Sequence, residues 1–251
     1  MDGLLRTTVL VCATALLGGC AINQVKGSYR GGTPTATGFL TKTLEVKGQA
    51  YVYCVYVPRD YDPAKAWPLV LFLHGVGERG TDGLLQTEVG IGRAIRRWPD
   101  RFPCLVVMPQ CPTSVWWTNV IELMDRSLAE TREAYNIDPN RIYLTGLSMG
   151  GFGTWMYGAM RADYFAALVP ICGSGKTDDA SKLAQVPIWA LHGSDDTRVK
   201  PEKSREMVEA VKKAGGKVKY TVYPGVGHNS WDRAYGDPKV IKWMLRQTRK
   251  P

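Results

Sequence analysis

From Pro68 to Gly225 the chain alternates short apolar runs with amphipathic segments. The runs are PLVLFLHG (68–75), CLVVMPQ (104–110), RIYLTGLS (141–148), ALVPICG (167–173), PIWALHG (187–193) and KYTVYPG (219–225). They are apolar at nearly successive positions rather than at alternate ones, as strands buried on both faces must be. Helices are predicted over 119–135, 149–161, 202–214 and 238–248, the third with one stripe through Glu202, Met207, Val208 and Val211. Upstream, residues 38–46 and 49–57 are β-prone and flank Lys47-Gly48, which predicts an antiparallel hairpin. The expected class is α/β: a mostly parallel, doubly wound sheet entered through an antiparallel N-terminal hairpin.

The start of the chain follows another pattern. MDGLLRTTVLVCATALLGGC holds Arg6, an apolar run over 8–17 and then Gly18-Gly19-Cys20. That run falls short of the roughly 20 apolar residues of a membrane span, so it reads as an export signal. Leu17-Gly18-Gly19-Cys20 resembles the bacterial lipobox, although Asp2 departs from the usual n-region. The resemblance implies cleavage before Cys20, lipidation of that cysteine and a lipid-anchored location on the periplasmic or extracellular face of the cell envelope. Residues 21–37 are rich in Gly, Ser, Thr and Pro without apolar period, as a tether is. The expected organisation is therefore signal peptide 1–19, lipidated cysteine and tether 20–37, and one folded domain 38–251.

Composition narrows the classes. Hydrophobic residues at 45% and charged residues at 22% exclude a disordered or multispanning chain. The net charge of +9 survives signal removal, which takes one acid, Asp2, and one base, Arg6. No basic block is interleaved with aromatics, so nucleic acid is not an expected partner, and the charge is read as serving solubility. Cys54, Cys104, Cys111 and Cys172 remain in an oxidising compartment, where they allow three pairings. Cys104 and Cys111 bracket a strand of roughly 23 Å and are not expected to pair with each other. There is no CxxC or His/Cys cluster, and no metal or cofactor is expected.

The chemistry is concentrated at Gly146-Leu147-Ser148-Met149-Gly150, which follows the apolar strand RIYLT and opens a helical stretch. In that context GxSxG is a sharp strand-to-helix turn that lifts its serine above the sheet, the nucleophile elbow of the α/β-hydrolase fold. Only three histidines are available as base. His74 and His192 each precede a glycine at a strand end, where they are expected to shape the turn. His228 sits in the loop GVGHNSW after the last strand, free to reach Ser148. The orienting acid belongs between serine and histidine. Asp195 and Asp196 compete for the role, and LHGSDDTRV matches the spacing HGxxDxxV with Asp196, leaving Asp195 as a capping or surface carboxylate. The catalytic set is thus Ser148, Asp196 and His228, with activity falling on acidification as the base takes up a proton. The oxyanion is assigned to the backbone N–H groups of Met149 and Val76. Glu78 and Arg79 follow that loop and either bind a polar substrate or, preferably, brace it. Trp116, Trp117 and Trp231 form an aromatic wall for an aryl or sugar group, or pack ordinarily.

Blocks WPLVLFLHGVGERG, MPQC, RIYLTGLSMGGFGTW, FAALVPICG, HGSDDTRV and GHNSW, over roughly residues 38 to 248, resemble bacterial esterases often called predicted peptidases, relatives of feruloyl esterases and polyhydroxybutyrate depolymerases. The resemblance implies an ester hydrolase using Ser148, Asp196 and His228. A serine peptidase on the same fold is the alternative, and a non-catalytic binding protein would have no use for the assembled set. Residues 173–187 form a polar loop with at most a helical turn, leaving no room for a cap domain and no apolar face there for a lipid tail. The expected substrates are short acyl or aryl esters, including carbohydrate-linked and feruloyl-type ones, ahead of long-chain lipids and peptide amides. The membrane is a partner only through the anchor.

Overall fold

The computed structural model describes residues 35–249. The expected signal, the lipidated Cys20 and most of the tether lie outside the described residues. Eight strands form one sheet: β1 (Gly38–Val46), β2 (Gln49–Val57), β3 (Trp67–Leu73), β4 (Leu105–Pro109), β5 (Ile137–Leu147), β6 (Ala167–Ile171), β7 (Ile188–Gly193) and β8 (Val218–Tyr223). Their order is β1-β2-β4-β3-β5-β6-β7-β8. β1 with β2 and β2 with β4 run antiparallel, and every later pair is parallel. The opening hairpin turns on Lys47 at φ 52° and Gly48 at φ 78°. Two consecutive positive φ values give the turn whose twist matches that of paired strands.

Helices cover both faces: α1 (Gly90–Arg97), α2 (Ile121–Ala134), α3 (Met149–Met160), α4 (Ala180–Leu183), α5 (Pro201–Lys213), α6 (Trp231–Gly236) and α7 (Pro238–Leu245). Strand β3 shows why its run is apolar throughout. Leu69, Leu71 and Leu73 enter the core that α2, α3 and α5 close with Leu123, Leu128, Trp155, Met207 and Val211. Val70 and Phe72 point the other way, into the core closed by Ile91, Ile95, Tyr235, Val240 and Ile241 from α1, α6 and α7. Each fully buried Val, Leu or Phe contributes about 1.5–3 kcal/mol, so neither face tolerates a polar residue cheaply.

This is the α/β-hydrolase architecture expected from the sequence. The connection from β6 to β7 carries α4 and one 3-10 turn, Thr177–Asp179. Cys54, Cys104, Cys111 and Cys172 are all buried and free, so the possible disulfides among them are not formed. Helices α1 and α6 were not predicted, and β5 starts four residues earlier than expected, across a register shift between Trp67 and Leu69 of β3.

Candidate active site

Ser148 joins β5 to α3 at φ 51° and ψ −117°, a conformation that side chains other than glycine rarely adopt. Such a residue costs on the order of 1–3 kcal/mol and persists because its surroundings fix it. Those surroundings leave no space for a second side chain. A Cβ on Gly150 would overlap the Leu73 carbonyl oxygen, and one on Gly146 the Gly150 carbonyl oxygen. The Ser148 N–H donates to Ile171 O at 3.0 Å, tying the elbow to the end of β6. The serine hydroxyl is thereby presented at the C-terminal edge of the parallel strands.

The His228 loop returns to this edge. His228 Nε2 lies 2.9 Å from Ser148 Oγ, and its Nδ1 lies 2.7 Å from Asp196 Oδ2. The second carboxylate oxygen, Asp196 Oδ1, accepts the N–H groups of Arg198 and Val199, each at 2.9 Å. Burial pushes the Asp196 carboxyl upward, but the His228 hydrogen bond and these two backbone donors together hold it below the ordinary aspartate value. It is therefore a carboxylate near neutrality, with one oxygen fixed by backbone and the other turned to the imidazole. Asp195 is exposed, and its Oδ1 accepts the Ser194 hydroxyl at 2.5 Å. The structure thus brings Ser148, His228 and Asp196 together and leaves Asp195 outside.

Val76 and Met149, the residues assigned to the oxyanion, are the first of their helical segments, Val76–Glu78 and α3. N–H groups at such positions have no acceptor within the helix and remain available. The loop that carries Val76 is braced from its own side chains. Glu78 Oε2 accepts Gly75 N–H at 2.9 Å, and Arg79 donates to Val76 O at 3.2 Å and Val115 O at 3.3 Å. Glu78 is half-buried, and its carboxyl is pushed upward by that burial. His74, fully buried, anchors the loop from below: its Nδ1 lies 2.6 Å from Gly75 O, and its Nε2 accepts Cys111 N–H at 2.9 Å. Burial lowers its pKa to about 4 and keeps the ring neutral, with the proton on Nδ1.

The three tryptophans separate. Trp117 is buried and donates from Nε1 to His74 O at 3.1 Å. Trp231 meets the His228 ring edge-on at 5.4 Å between centroids. Trp116 is 51% exposed. It walls a groove of about 490 Å3 that starts at Met149 and follows α3 past Phe152, Met156 and Met160, with Lys176, Asp179 and Lys182 on its other wall. The 173–187 loop, expected to present no apolar face, contributes Lys176, Asp179 and Lys182 to this groove. The apolar face instead belongs to α3, where the spacing of Met149, Phe152, Met156 and Met160 puts them on one side of the helix.

Sequence reasoning also missed His192. Its ring is fully buried, with Nε2 3.1 Å from Asp196 Oδ2 and 2.8 Å from Val199 O. It was assigned only a turn-shaping role. The four-residue spacing of His192 and Asp196 places both at the end of one strand but leaves the direction of the ring open. Cys172 sits here too. Its Sγ lies within 4.8 Å of ligand atoms of Asp196 and His228, and 3.3 Å from Ser148 N. Burial pushes this thiol up to about 12, so it stays protonated.

An open eight-stranded sheet with a serine elbow after β5 and a histidine loop after β8 defines an α/β-hydrolase. The sequence profile of the dienelactone hydrolase family matches residues 107–236, more than half of the chain, and the chain belongs to that family. Over 150 residues the chain is 29% identical to the bifunctional acetylxylan esterase/xylanase XynS20E of Neocallimastix patriciarum, covering 57% of this chain and 21% of that one. Feruloyl esterase D of Neurospora crassa is 22% identical over 254 residues, covering 96% of this chain and 87% of that one. A crystal structure of a thermostable esterase superposes with a TM-score of 0.78 at 37% identity, over 84% of this chain and 63% of that chain. The chain thus spans about a fifth of the first relative and less than two thirds of the solved esterase.

Proposed function

We propose that the protein is a serine carboxylic-ester hydrolase. Ser148 Oγ attacks the ester carbonyl carbon while its proton passes to His228 Nε2, and the oxyanion is received by the N–H groups of Met149 and Val76. The imidazolium, steadied by Asp196, gives that proton to the departing alkoxide, leaving an acyl group on Ser148. Water then attacks the acyl carbon, again losing its proton to His228, and the carboxylic acid leaves as Ser148 is restored. The observation that carries the reading is the continuous hydrogen-bonded path from Ser148 Oγ through both ring nitrogens of His228 to Asp196, at 2.9 and 2.7 Å. The esterase relatives support it.

The substrates proposed are short acyl and aryl esters, including carbohydrate-linked and feruloyl-type ones, with the acyl group lying in the groove along α3. An aryl-acyl group fits between Trp116 and the Phe152 and Met156 side chains. Once the groove is filled, further methylenes lie in solvent and forgo the about 0.8 kcal/mol each gains on burial. Comparison of kcat/KM across acetyl, butyryl, octanoyl, palmitoyl and feruloyl esters beside peptide anilides tests this. We expect a rise to the aryl-acyl ester and no palmitoyl optimum. Trp116→Ala is expected to lower kcat/KM for the aryl-acyl ester about 3- to 10-fold while sparing acetyl esters. A palmitoyl optimum, or anilides cleaved faster than esters, would overturn the assignment in favour of a lipase or a peptidase.

The proposed location is the cell envelope, through acyl chains on Cys20 and the tether 20–37. The support is the sequence Leu17-Gly18-Gly19-Cys20 behind an apolar run. Mass spectrometry of the mature N-terminus is expected to find lipidated Cys20 as the first residue. An unmodified terminus starting elsewhere contradicts it.

A further inference from the structure

The acid of the proposed triad is held by two imidazoles. Asp196 Oδ1 is taken by the Arg198 and Val199 N–H groups, whereas Oδ2 faces His228 Nδ1 at 2.7 Å and His192 Nε2 at 3.1 Å. His192 Nε2 also lies 2.8 Å from Val199 O. A carboxylate and a carbonyl both accept, so the proton of His192 must sit on Nε2, between them. The opposite nitrogen, Nδ1, is then an acceptor 2.8 Å from the hydroxyl of Ser204 on α5, whose single proton also faces Gly173 O at 2.8 Å. His192, Asp196 and Ser204 are 0%, 4% and 1% exposed, so no water competes for these contacts. The ring is therefore fixed at both nitrogens, and its Nε2–H is aimed at the oxygen that serves His228.

We propose that His192 is a positioning residue of the catalytic triad, a second donor on Asp196 Oδ2 that fixes the carboxylate and tempers the charge it presents to His228. This rests on the ester-hydrolase reading above. His192 touches neither the substrate nor Ser148 and acts through Asp196. The ionisable groups that act on it are Asp196 itself and His228, with the Cys172 thiol beside Asp196, while α5 brings the neutral Ser204 and β8 pairs Val222 with it. Burial lowers the His192 pKa, in keeping with a neutral ring that donates from Nε2 alone. A carboxylate that loses a hydrogen-bond donor concentrates more charge on its remaining partner. Without His192, Asp196 therefore stabilises protonated His228 more strongly, and His228 becomes the stronger base. The carboxylate also gains freedom to turn, which misaligns His228.

The test is the pH dependence of kcat and kcat/KM for an aryl ester in wild type, His192→Phe, His192→Gln and Ser204→Ala. Phenylalanine fills the space without a donor, whereas the glutamine amide restores an N–H. His192→Phe is expected to lower kcat about 10- to 100-fold with little change in KM. The acid limb of its kcat/KM profile should move upward by about 0.5–1 pH unit. His192→Gln should return the limb to the wild-type position. Ser204→Ala leaves the histidine and its Nε2 proton in place but removes the hydroxyl that holds Nδ1, so the ring is less firmly aimed, and should move the limb in the same direction by less. Equal losses in the Phe and Gln variants with an unmoved limb would show a packing role only and overturn the proposal. If His192→Phe does not fold, an unmoved limb in Ser204→Ala overturns it instead. Wild-type turnover that disappears in Ser148→Ala keeps the ester-hydrolase reading intact whatever these variants do, and absent wild-type turnover removes both together.

Discussion

Two aspartates stand side by side at residues 195 and 196, and their environments divide the work between them. Asp196 is buried, carries two backbone donors and turns its free oxygen to His228, while Asp195 is exposed beside Ser194. Asp196→Asn is therefore expected to remain folded and to lose activity by about 10⁴-fold, as loss of the orienting acid does in other triads. Asp195→Asn should stay close to wild type, and equal damage from both would contradict the assignment. His74 yields a stability prediction. Its folded pKa of about 4 lies below the ordinary 6.5. Above about pH 6.5 neither state carries the proton and the full stability is present; below it the unfolded chain protonates first, and stability falls until about pH 4. Over that window the loss is on the order of 3 kcal/mol. His74→Gln should lower the melting temperature near neutrality yet flatten its fall on acidification. The flattening is partial, because His192 is also held low by burial. An unchanged acid slope in His74→Gln contradicts the account. Ser148, Asp196 and His228 were legible in the sequence because turn chemistry and chain order restrict them. The contact between His192 and Asp196 was not, because the sequence shows that a histidine ends a strand but not which way its ring turns.

Strands were the most readable elements. Runs such as PLVLFLHG are apolar on both faces because both faces are covered, and β1 ends and β2 begins where the Lys47-Gly48 turn dictates. Helix α1, GIGRAIRR, is not among the predicted helices, and its two glycines are poor helix formers. Its glycines answer to packing: at Gly90, φ 55°, a Cβ would come within 2.7 Å of Leu147 Cδ2, and at Gly92 one would overlap the Thr87 carbonyl oxygen. Helix α6 has six residues, too few to show a period. The elbow is the element most exposed to a single change. Gly150→Ala puts a methyl group into the Leu73 carbonyl, forcing α3 away from β3. It is expected to destabilise by several kcal/mol and to abolish turnover, whereas Gly77→Ala, with open space around its Cβ position, should fold normally. Equal melting temperatures for the two variants would contradict the packing argument.

At the scale of the whole domain, the sheet sets Ser148, Asp196 and His228 at one edge, after β5, β7 and β8. The strand order places those three endings close together even though 80 residues separate Ser148 from His228. That convergence followed from recognising a parallel sheet. The groove along α3 did not, because it is a surface formed jointly by the Trp116 loop and a helix face that lie apart in the sequence. The central claim is that Ser148 is the nucleophile of an ester hydrolase, and covalent labelling tests it most directly. Wild type treated with a fluorophosphonate and digested for mass spectrometry is expected to carry one adduct, on Ser148, with loss of ester turnover in proportion to labelling and no labelling of Ser148→Ala. An adduct on another residue, or labelling retained in Ser148→Ala, would contradict the claim.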